Sequence, residues 1–211
     1  MKLFITGIST DVGKTIASAI IVEALQADYW KPIQAGDLDN SDSHKIKSYI
    51  SNDKSVIHEN SYKLNTPASP HFAAECDRIT IDIKQITEPN PDGYRDNNHL
   101  VVEGAGGVLV PLNDTDCVID IIQPDYKAII VSRHYLGSIN HTLLTIEALK
   151  NRKINIAGII FSGDENKATE SIILNKTGVK CIGRIEQEPY FDQNVIREYA
   201  ELFRENLLKL K

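Results

Sequence analysis

The stretch Gly7-Ile-Ser-Thr-Asp-Val-Gly-Lys-Thr15 decides the fold of this 211-residue chain. An apolar run, residues 2–6, precedes it, and an amphipathic run, residues 16–27, follows it. A strand, a glycine-bounded loop and a helix in this order are typical of a P-loop, where free N–H groups at the helix start attract phosphate. In such a loop Lys14 reaches the outer phosphates and the hydroxyl of Thr15 holds magnesium. The alternative interpretation is an ordinary strand–turn–helix loop that carries a Lys-Thr pair by chance.

The loop departs from the usual P-loop pattern in its length. Five residues separate Gly7 from Gly13, whereas the usual motif has about four. The Gly13-Lys14-Thr15 core and the flanking strand and helix patterns are intact, so we interpret the stretch as a nucleotide site.

Composition and charge restrict the class of protein. Hydrophobic residues make up 42% of the chain and charged residues 25%, which are ordinary globular values. The net charge of −6 and the lack of a basic run argue against a nucleic-acid surface. No apolar stretch approaches the ~18 residues of a membrane span, and no leader pattern precedes the first strand. We therefore predict a cytoplasmic, single-domain protein (residues 1–211) that binds neither nucleic acid nor membranes.

Cysteine, histidine and aromatic residues show no pattern that indicates a further site. Cys76, Cys117 and Cys181 are far apart and odd in number, which predicts neither a disulfide framework nor a metal site. The histidines lack metal-binding spacing, and we interpret them as structural or surface groups. Trp30 and the tyrosines are interpreted as core residues.

Apolar runs alternate with amphipathic runs along the rest of the chain. Strands are predicted at residues 99–103, 127–132, 156–161 and 179–184. Helices are predicted at residues 41–50, 141–151, 165–177 and 192–208. Residues 33–43 and 88–98 are interpreted as polar loops, and residues 51–66 are weakly patterned. The predicted fold class is α/β: a single-domain P-loop NTPase fold with a mostly parallel central sheet of about seven strands and helices on both faces.

Three charged residues are placed to complete the phosphate site. Pro32 ends one strand at Lys31, and Glu103 ends another, so both lie at the carboxyl edge of the sheet, where ligands bind. Asp42 falls in the first turn of a helix that Ser41 is suited to cap. Carboxylates at these positions suit magnesium, a hard cation that prefers oxygen ligands.

Other interpretations of these residues remain open. Lys31 is also explained as a solvated lysine, Asp42 as compensation of a helix dipole, and Glu103 as a cap on the next turn. Asp37 and Asp39 lie on the same loop as Asp42 and are alternative magnesium ligands. Further along, residues 137–140 open a helix and form a second anion site.

Several of these stretches together resemble the dethiobiotin synthetases, the ATP-dependent carboxylases of biotin synthesis. They are residues 6–15 (TGISTDVGKT), 31–36 (KPIQAG), 40–42 (NSD), 69–71 (SPH), 102–107 (VEGAGG) and 136–141 (LGSINH). The first is similar to the long P-loop of that family, including the five-residue spacing. The resemblance covers residues 2–185.

The resemblance implies roles for individual residues. The residues implied in catalysis are Lys31, Lys14 and Thr10, with the two lysines on either side of the carbamate and the γ-phosphate. Magnesium is bound by Thr15, Asp42 and Glu103. Nucleotide contacts are implied for Asp11, Val12, Gly13, Lys14, Thr15, Ile16, Asp42, Glu103, Gly104, Ala105, Gly106, Ser162 and Gly163. Substrate contacts are implied for Lys31, Ala35, Gly107, Gly137, Ser138, Ile139 and Asn140, the last four from the partner subunit of a homodimer.

The implied reaction closes a cyclic urea. An amine of 7,8-diaminopelargonate takes up carbon dioxide as a carbamate, whose oxygen attacks the γ-phosphate of ATP. The second amine then closes the ring on the carbamic-phosphoric anhydride, and phosphate leaves. Such a transfer needs positioning and positive charge, which two lysines and magnesium supply, and it needs no protein nucleophile.

Three positions depart from the family pattern. Ala35 stands where the family often has a serine that contacts substrate. The Ser162-Gly163 pair stands where an Asn-Asp pair often reads the nucleotide base, and residues 184–187 (RIEQ) replace the more usual Glu-Ile-Pro. The sequence therefore leaves the choice of base open.

Two other P-loop classes are similar to parts of the chain. A cobyrinic-acid-type amidating synthetase has a comparable N-terminal domain but needs a glutaminase domain, for which 211 residues leave no room. The partition and septum-positioning ATPases carry a lysine early in the loop, where this chain has Thr10. Both alternatives are therefore disfavoured.

Overall fold

A computed structural model describes residues 1–89 and 99–210 of the chain. Its strands are β1 (Lys2–Gly7), β2 (Asp28–Trp30), β3 (Ile33–Ala35), β4 (Ile57–His58), β5 (Tyr62–Leu64), β6 (Leu100–Gly107), β7 (Tyr126–Arg133), β8 (Asn155–Ser162) and β9 (Cys181–Ile185). Its α-helices are α1 (Lys14–Leu25), α2 (Asp42–Tyr49), α3 (Pro70–Cys76), α4 (Ser138–Asn151), α5 (Lys167–Thr177) and α6 (Gln193–Leu208). Within these residues, seven strands form one sheet in the order β4-β2-β6-β1-β7-β8-β9, while β3 pairs with β5.

Strand β1 lies at the centre of the sheet, where it pairs in parallel with β6 and β7. Its side chains beyond Lys2 are buried, as parallel strands covered on both faces require. Leu3 and Ile5 join one apolar cluster with the residues of α1 and α6, whereas Phe4 joins a second cluster with Ala73 of α3. Because successive side chains of a strand point to opposite faces, helices cover both faces. The prediction of a seven-stranded parallel α/β fold is confirmed.

Helix α1 is apolar on nearly every side because it lies between the sheet and α6. Its buried residues include Ala17, Ile20, Ile21 and Val22. The helix ends at Leu25, where the following Gln26 takes the left-handed conformation (φ 50°) and its N–H bonds to carbonyls of the last turn. The buried packing fixes the start of α1, and with it the P-loop, against the carboxyl edge of β1.

The structure corrects the sequence-based prediction at several elements. The predicted polar loop at residues 33–43 contains β3, and the weakly patterned residues 51–66 contain β4 and β5. These strands have two or three residues each, too few to show an apolar period. Strand β6 continues through the four glycine-loop residues to Gly107, which pairs with Gly7 after a shift in register.

Two further outcomes concern a helix and a loop. Helix α4 begins at Ser138, three residues before the predicted start, because Gly137 in the left-handed conformation (φ 102°) precedes its first turn. Of the predicted loop at residues 88–98, positions 90–98 lie outside the described residues. In the described part of the chain no helix is both long and apolar enough to cross a membrane. The three cysteines are free thiols.

Candidate active site

The P-loop curls tightly around the side chain of Lys14. A Cβ atom on Gly7 would lie 2.6 Å from the carbonyl oxygen of Ser9, so only glycine fits there. Gly13 takes the left-handed conformation (φ 94°) before α1 begins. The Lys14 ammonium donates to the Ser9 carbonyl at 3.0 Å, and the residue as a whole is 8% exposed. The loop therefore holds its own lysine inside the anion site.

Lys31, Thr15, Asp42 and Glu103 form one hydrogen-bonded cluster beside the P-loop. The Thr15 hydroxyl lies 3.0 Å from Asp42 Oδ1 and 3.2 Å from Glu103 Oε1. The Lys31 ammonium donates to Asp42 Oδ2 at 2.6 Å and to Glu103 Oε1 at 3.0 Å. These residues come from the first turn of α1, the first turn of α2, the position just after β2 and the middle of β6, so Glu103 does not end its strand as the sequence predicted. The structure thus brings together the four charged or hydroxyl residues that the sequence indicated here.

Burial and charge shift the pKa values of this cluster in opposite directions. Burial lowers the pKa of Lys14 below its ordinary value, and the attraction of Glu103 offsets this only in part. Burial would also lower the pKa of Lys31, but the charges of Glu103 and Asp42 outweigh it and raise that pKa. Burial opposes ionisation of Asp42, yet Lys31 lowers its pKa. Lys31 is therefore a charged lysine at neutral pH, locked to two carboxylates.

Two side chains that the sequence did not single out position these carboxylates. The Tyr29 hydroxyl, at the centre of β2, donates to Glu103 Oε2 at 3.0 Å. The Gln34 side-chain oxygen accepts from the backbone N–H of Asp42 at 3.3 Å. A tyrosine two residues before a strand-end lysine shares its face of the sheet, and this spacing is a signal that sequence reasoning can use.

The donor set suits magnesium bound together with a nucleotide. Thr15, Asp42 and Glu103 offer hard oxygen atoms from three different elements. Among residues 1–89 and 99–210, no three His, Cys, Asp or Glu side chains form a group that could hold a metal. The Thr15 hydroxyl is a further hard oxygen beside the two carboxylates, which fits an ion that is usually bound through one or two carboxylates and substrate phosphates.

One cleft of about 680 Å³ runs from the P-loop and the cluster around Lys31 to a more open region. Such a volume suits a nucleotide-sized ligand. The lining residues that the sequence had indicated are Thr10, Asp11, Gly13, Lys14, Thr15, Ile16, Lys31, Ala35, Asp42, Glu103, Ala105, Gly106, Ser162 and Gly163. Val12 and Gly104 lie outside this lining. Of the alternative ligands, Asp37 borders the cleft and Asp39 does not.

The remaining predicted substrate residues lie elsewhere. Gly107 borders a neighbouring depression of about 420 Å³, together with Thr10, Leu109 and Leu144. Residues 137–140, at the start of α4, border neither this depression nor the cleft. Within one chain, the start of α4 therefore does not meet Lys31.

The open end of the cleft is built from the ends of β7, β8 and β9. Arg133 donates to the carbonyl of Asp11 at 3.2 Å and to Gln187 Oε1 at 3.4 Å, and it is exposed. The N–H of Gly163 bonds to the carbonyl of Ile185 at 2.9 Å, so it is not free to read a ligand. Arg133 was missed by sequence reasoning because no motif covers it.

An ion cluster supports this end from behind. Arg184 of β9 makes two hydrogen bonds of 2.5 Å to the carboxylate of Glu170 on α5. His134 lies 2.8 Å from the same carboxylate and stacks on Phe161. Burial opposes ionisation of Glu170, but the hydrogen bonds from His134 and Arg184 lower its pKa.

The chain is similar in sequence to named enzymes along nearly all of its length. A family model described as an AAA domain matches residues 1–195. The ATP-dependent dethiobiotin synthetase BioD of Christiangramia forsetii is 58% identical over 207 residues, with 98% of each chain covered. The protein of the same name from Cytophaga hutchinsonii is 50% identical over 200 residues, covering 94% of this chain and 95% of its own.

Solved structures support the fold at much lower identity. The MinC:MinD cell division complex of Aquifex aeolicus includes a chain that matches with a TM-score of 0.60 at 15% identity, covering 99% of this chain and 94% of that one. A putative plasmid partition protein of Borrelia burgdorferi bound to AMPPNP matches with a TM-score of 0.56 at 13% identity, covering 99% and 97%. At such identities the likeness shows the fold alone.

Proposed function

The chain belongs to the dethiobiotin synthetase family, and we propose that its P-loop cleft carries out the carboxylation and ring closure of 7,8-diaminopelargonate. It is accordingly an ATP-dependent ligase of biotin biosynthesis. One observation supports this assignment of the site. Two lysines, a threonine hydroxyl and two carboxylates line the same cleft: Lys14, Lys31, Thr15, Asp42 and Glu103. This membership favours the carboxylase over the amidating and switch-ATPase alternatives.

The P-loop end of the cleft binds and positions the phosphates of ATP. The backbone N–H groups at the start of α1 and the Lys14 ammonium face the same buried space, so both attract the outer phosphates. Thr15, Asp42 and Glu103 would hold magnesium. When bound, this ion neutralises the charge that develops on the transferred phosphoryl group.

Lys31 acts on the substrate side. Its raised pKa keeps it charged, and its buried stem limits where the ammonium can lie. In this place it holds the carbamate oxygen towards the γ-phosphate, so the carbamate forms and reacts without a protein nucleophile. The amine that attacks carbon dioxide and the amine that closes the ring both come from the substrate.

Residues 137–140 at the start of α4 act across a homodimer as hydrogen-bond donors. They do not border the cleft of their own chain, which supports a role towards a second copy. Large apolar side chains surround them on the surface: Leu136 is fully exposed, and Leu109 and Leu144 are more than half exposed. Exposed apolar area of this kind is typical of an interface. Gly137, Ile139 and Asn140 then offer backbone N–H groups to the substrate carboxylate of the partner's cleft, while the N–H of Ser138 bonds to the carbonyl of Tyr135 at 2.9 Å.

A coupled assay tests the proposed reaction. Protein, magnesium, ATP and bicarbonate are mixed with or without the diamine, and phosphate release and dethiobiotin are measured. We expect release only with the diamine, in a one-to-one ratio with product. Release without the diamine, or no product, contradicts the proposal. The variant Lys63→Met, which changes a lysine outside the cleft, serves as a control for the Lys14→Met variant, which we expect to be inactive.

A further inference from the structure

The hydroxyl of Tyr29 is the only tyrosine oxygen that the described residues place on a carboxylate of the phosphate site. Tyr29 is fully buried, and its hydroxyl donates to Glu103 Oε2 at 3.0 Å. The other carboxylate oxygen, Oε1, lies against Thr15 and Lys31. The two oxygens of Glu103 therefore have separate partners.

The register of the sheet explains this division. Tyr29 of β2 is paired with Val101 of β6, and Glu103 is two residues further along β6. Lys31 is likewise two residues beyond Tyr29, so all of these side chains project from the same face. On β2, Tyr29 lies towards the amino end and Lys31 towards the carboxyl end, and the Glu103 carboxylate is held between the phenol of the first and the ammonium of the second.

We propose that Tyr29 is a positioning residue for magnesium, because it fixes the Glu103 carboxylate with Oε1 turned to the Thr15 hydroxyl. The proposal rests on the function proposed above and extends it to a residue outside the family motifs quoted above. Glu103 is 1% exposed, so the hydrogen bonds to Tyr29, Thr15 and Lys31 set the rotation of its carboxylate. Thr15 and Lys31 share Oε1, whereas Tyr29 contacts Oε2, so the Tyr29 bond would still hold the carboxylate if a bound cation displaced Lys31.

The chemistry of the two groups is consistent with this role. The phenol of Tyr29 carries one O–H donor, and an ionised Glu103 carboxylate offers only acceptor oxygens. Partners of this kind behind a metal ligand affect metal affinity by about 10- to 100-fold.

The alternative is that Tyr29 only fills the core and that Glu103 satisfies its hydroxyl. The chain offers a matched control for this alternative in Tyr126, which is 2% exposed and donates to Glu88 Oε2 at 2.9 Å. Tyr126 begins β7 at the opposite edge of the sheet from the P-loop, where it pairs with Lys2. The variants Tyr29→Phe and Tyr126→Phe each remove one oxygen and one hydrogen bond to a glutamate, buried in the first case and part-buried in the second.

The test measures metal binding rather than turnover. Wild type and both variants are titrated with Mn²⁺ in the presence of a non-hydrolysable ATP analogue, and free Mn²⁺ is followed by electron paramagnetic resonance. Nucleotide binding in EDTA and urea unfolding are measured on the same samples. We expect Tyr29→Phe to weaken Mn²⁺ binding by about 10- to 100-fold. Its nucleotide binding in EDTA stays at the wild-type value, and Tyr126→Phe binds Mn²⁺ as wild type does.

The outcomes separate this inference from the proposed function. If wild type binds no Mn²⁺ with the nucleotide analogue, the proposed metal site itself is wrong. If wild type binds but Tyr29→Phe binds equally well, only the role of Tyr29 is wrong. An equal loss in both tyrosine variants, in step with reduced stability in urea, assigns the effect to the core and also overturns the inference.

Discussion

The two ends of the cleft are built in different ways. At the phosphate end, Lys31 and Glu103 have side chains that are 7% and 0% exposed, and each makes at least two contacts to other polar groups. The open end, at the ends of β7, β8 and β9, is where we expect the nucleotide base, and we call it the base end. There the exposed Arg133 spans the opening with two longer hydrogen bonds. Buried, shared hydrogen bonds fix geometry before a ligand arrives, whereas exposed single contacts leave it adjustable. We therefore expect the phosphate end to determine rate and the base end to tolerate change.

The largest effect is expected when the charge of Lys31 is removed. Lys31→Met keeps the stem but leaves the carbamate without its cation, so turnover should fall by about 10²- to 10³-fold. Nucleotide affinity should change by less than about tenfold, because Lys14 and the loop backbone remain. Steady-state kinetics and calorimetry on the same variant separate the two quantities.

A second lysine near Asp42 provides the control for the Lys31 variant. Lys45 lies 3.8 Å from Asp42 Oδ1, and its side chain is 36% exposed. Lys45→Met should therefore lose much less turnover than Lys31→Met. Equal losses, or a collapse of nucleotide affinity with turnover of the bound complex preserved, would show that the assigned role of Lys31 is wrong.

A hydroxyl at each end provides the next comparison. Thr15→Val removes the oxygen that lies between Asp42 and Glu103, and we expect magnesium-dependent nucleotide affinity to fall by about 10- to 100-fold. Ser162→Ala removes a hydroxyl from the base end of the same cleft. Its effect should stay below about threefold, because a half-buried hydroxyl that makes a neutral contact contributes little. Fluorescent-nucleotide titration in magnesium and in EDTA checks both variants, and a larger loss in Ser162→Ala would reverse the comparison.

The third effect concerns the ion cluster that supports the base end. Glu170→Gln keeps the size of the side chain but weakens its bonds to Arg184 and His134, which should lower the free energy of unfolding by ~1–3 kcal/mol at pH 7. Because these bonds lower the pKa of Glu170, its stabilising effect is present above the ordinary glutamate pKa of about 4.3 and is lost as pH falls through the lowered value.

Urea unfolding at several pH values measures this dependence. The difference between wild type and Glu170→Gln should be constant above about pH 5 and should shrink below about pH 4. The surface pair Lys209–Glu205 is the control, since Glu205→Gln breaks a solvent-exposed ion pair and should leave stability at the wild-type value at any pH. A difference for Glu170→Gln that grows on acidification would contradict the assignment.

The same contrast explains how much the sequence could predict. The P-loop, Lys31, Asp42 and Glu103 were recognisable because motifs and strand ends fix their places along the chain. Tyr29 and Gln34 were not recognised. Their roles depend on the pairing of β2 with β6 and on the packing of α2, and neither can be read from a single sequence. The short strands β3, β4 and β5 were not predicted for a related reason. Two or three residues are too few to show an alternation of apolar and polar side chains, and only pairing with other strands defines them.

The smallest effect is expected at Arg133, and it bears on the choice of base. The exposed guanidinium is held beside the opening by its hydrogen bonds to Asp11 and Gln187, and we expect it to stack on any base, because every base has a π-face. The Ser162-Gly163 pair lacks the amides and carboxylates that read a base edge, and the Gly163 N–H is already bonded to Ile185. Turnover with ATP, GTP and CTP should therefore agree within about tenfold, which corresponds to 1.4 kcal/mol.

Arg133→Ala should weaken the binding of all three nucleotides by a similar factor of less than about tenfold, as the loss of a sequence-tolerant stacking contact predicts. A preference for one base well beyond tenfold in wild type, or a selective loss of one nucleotide in Arg133→Ala, would mean that the base end is as specifically built as the phosphate end.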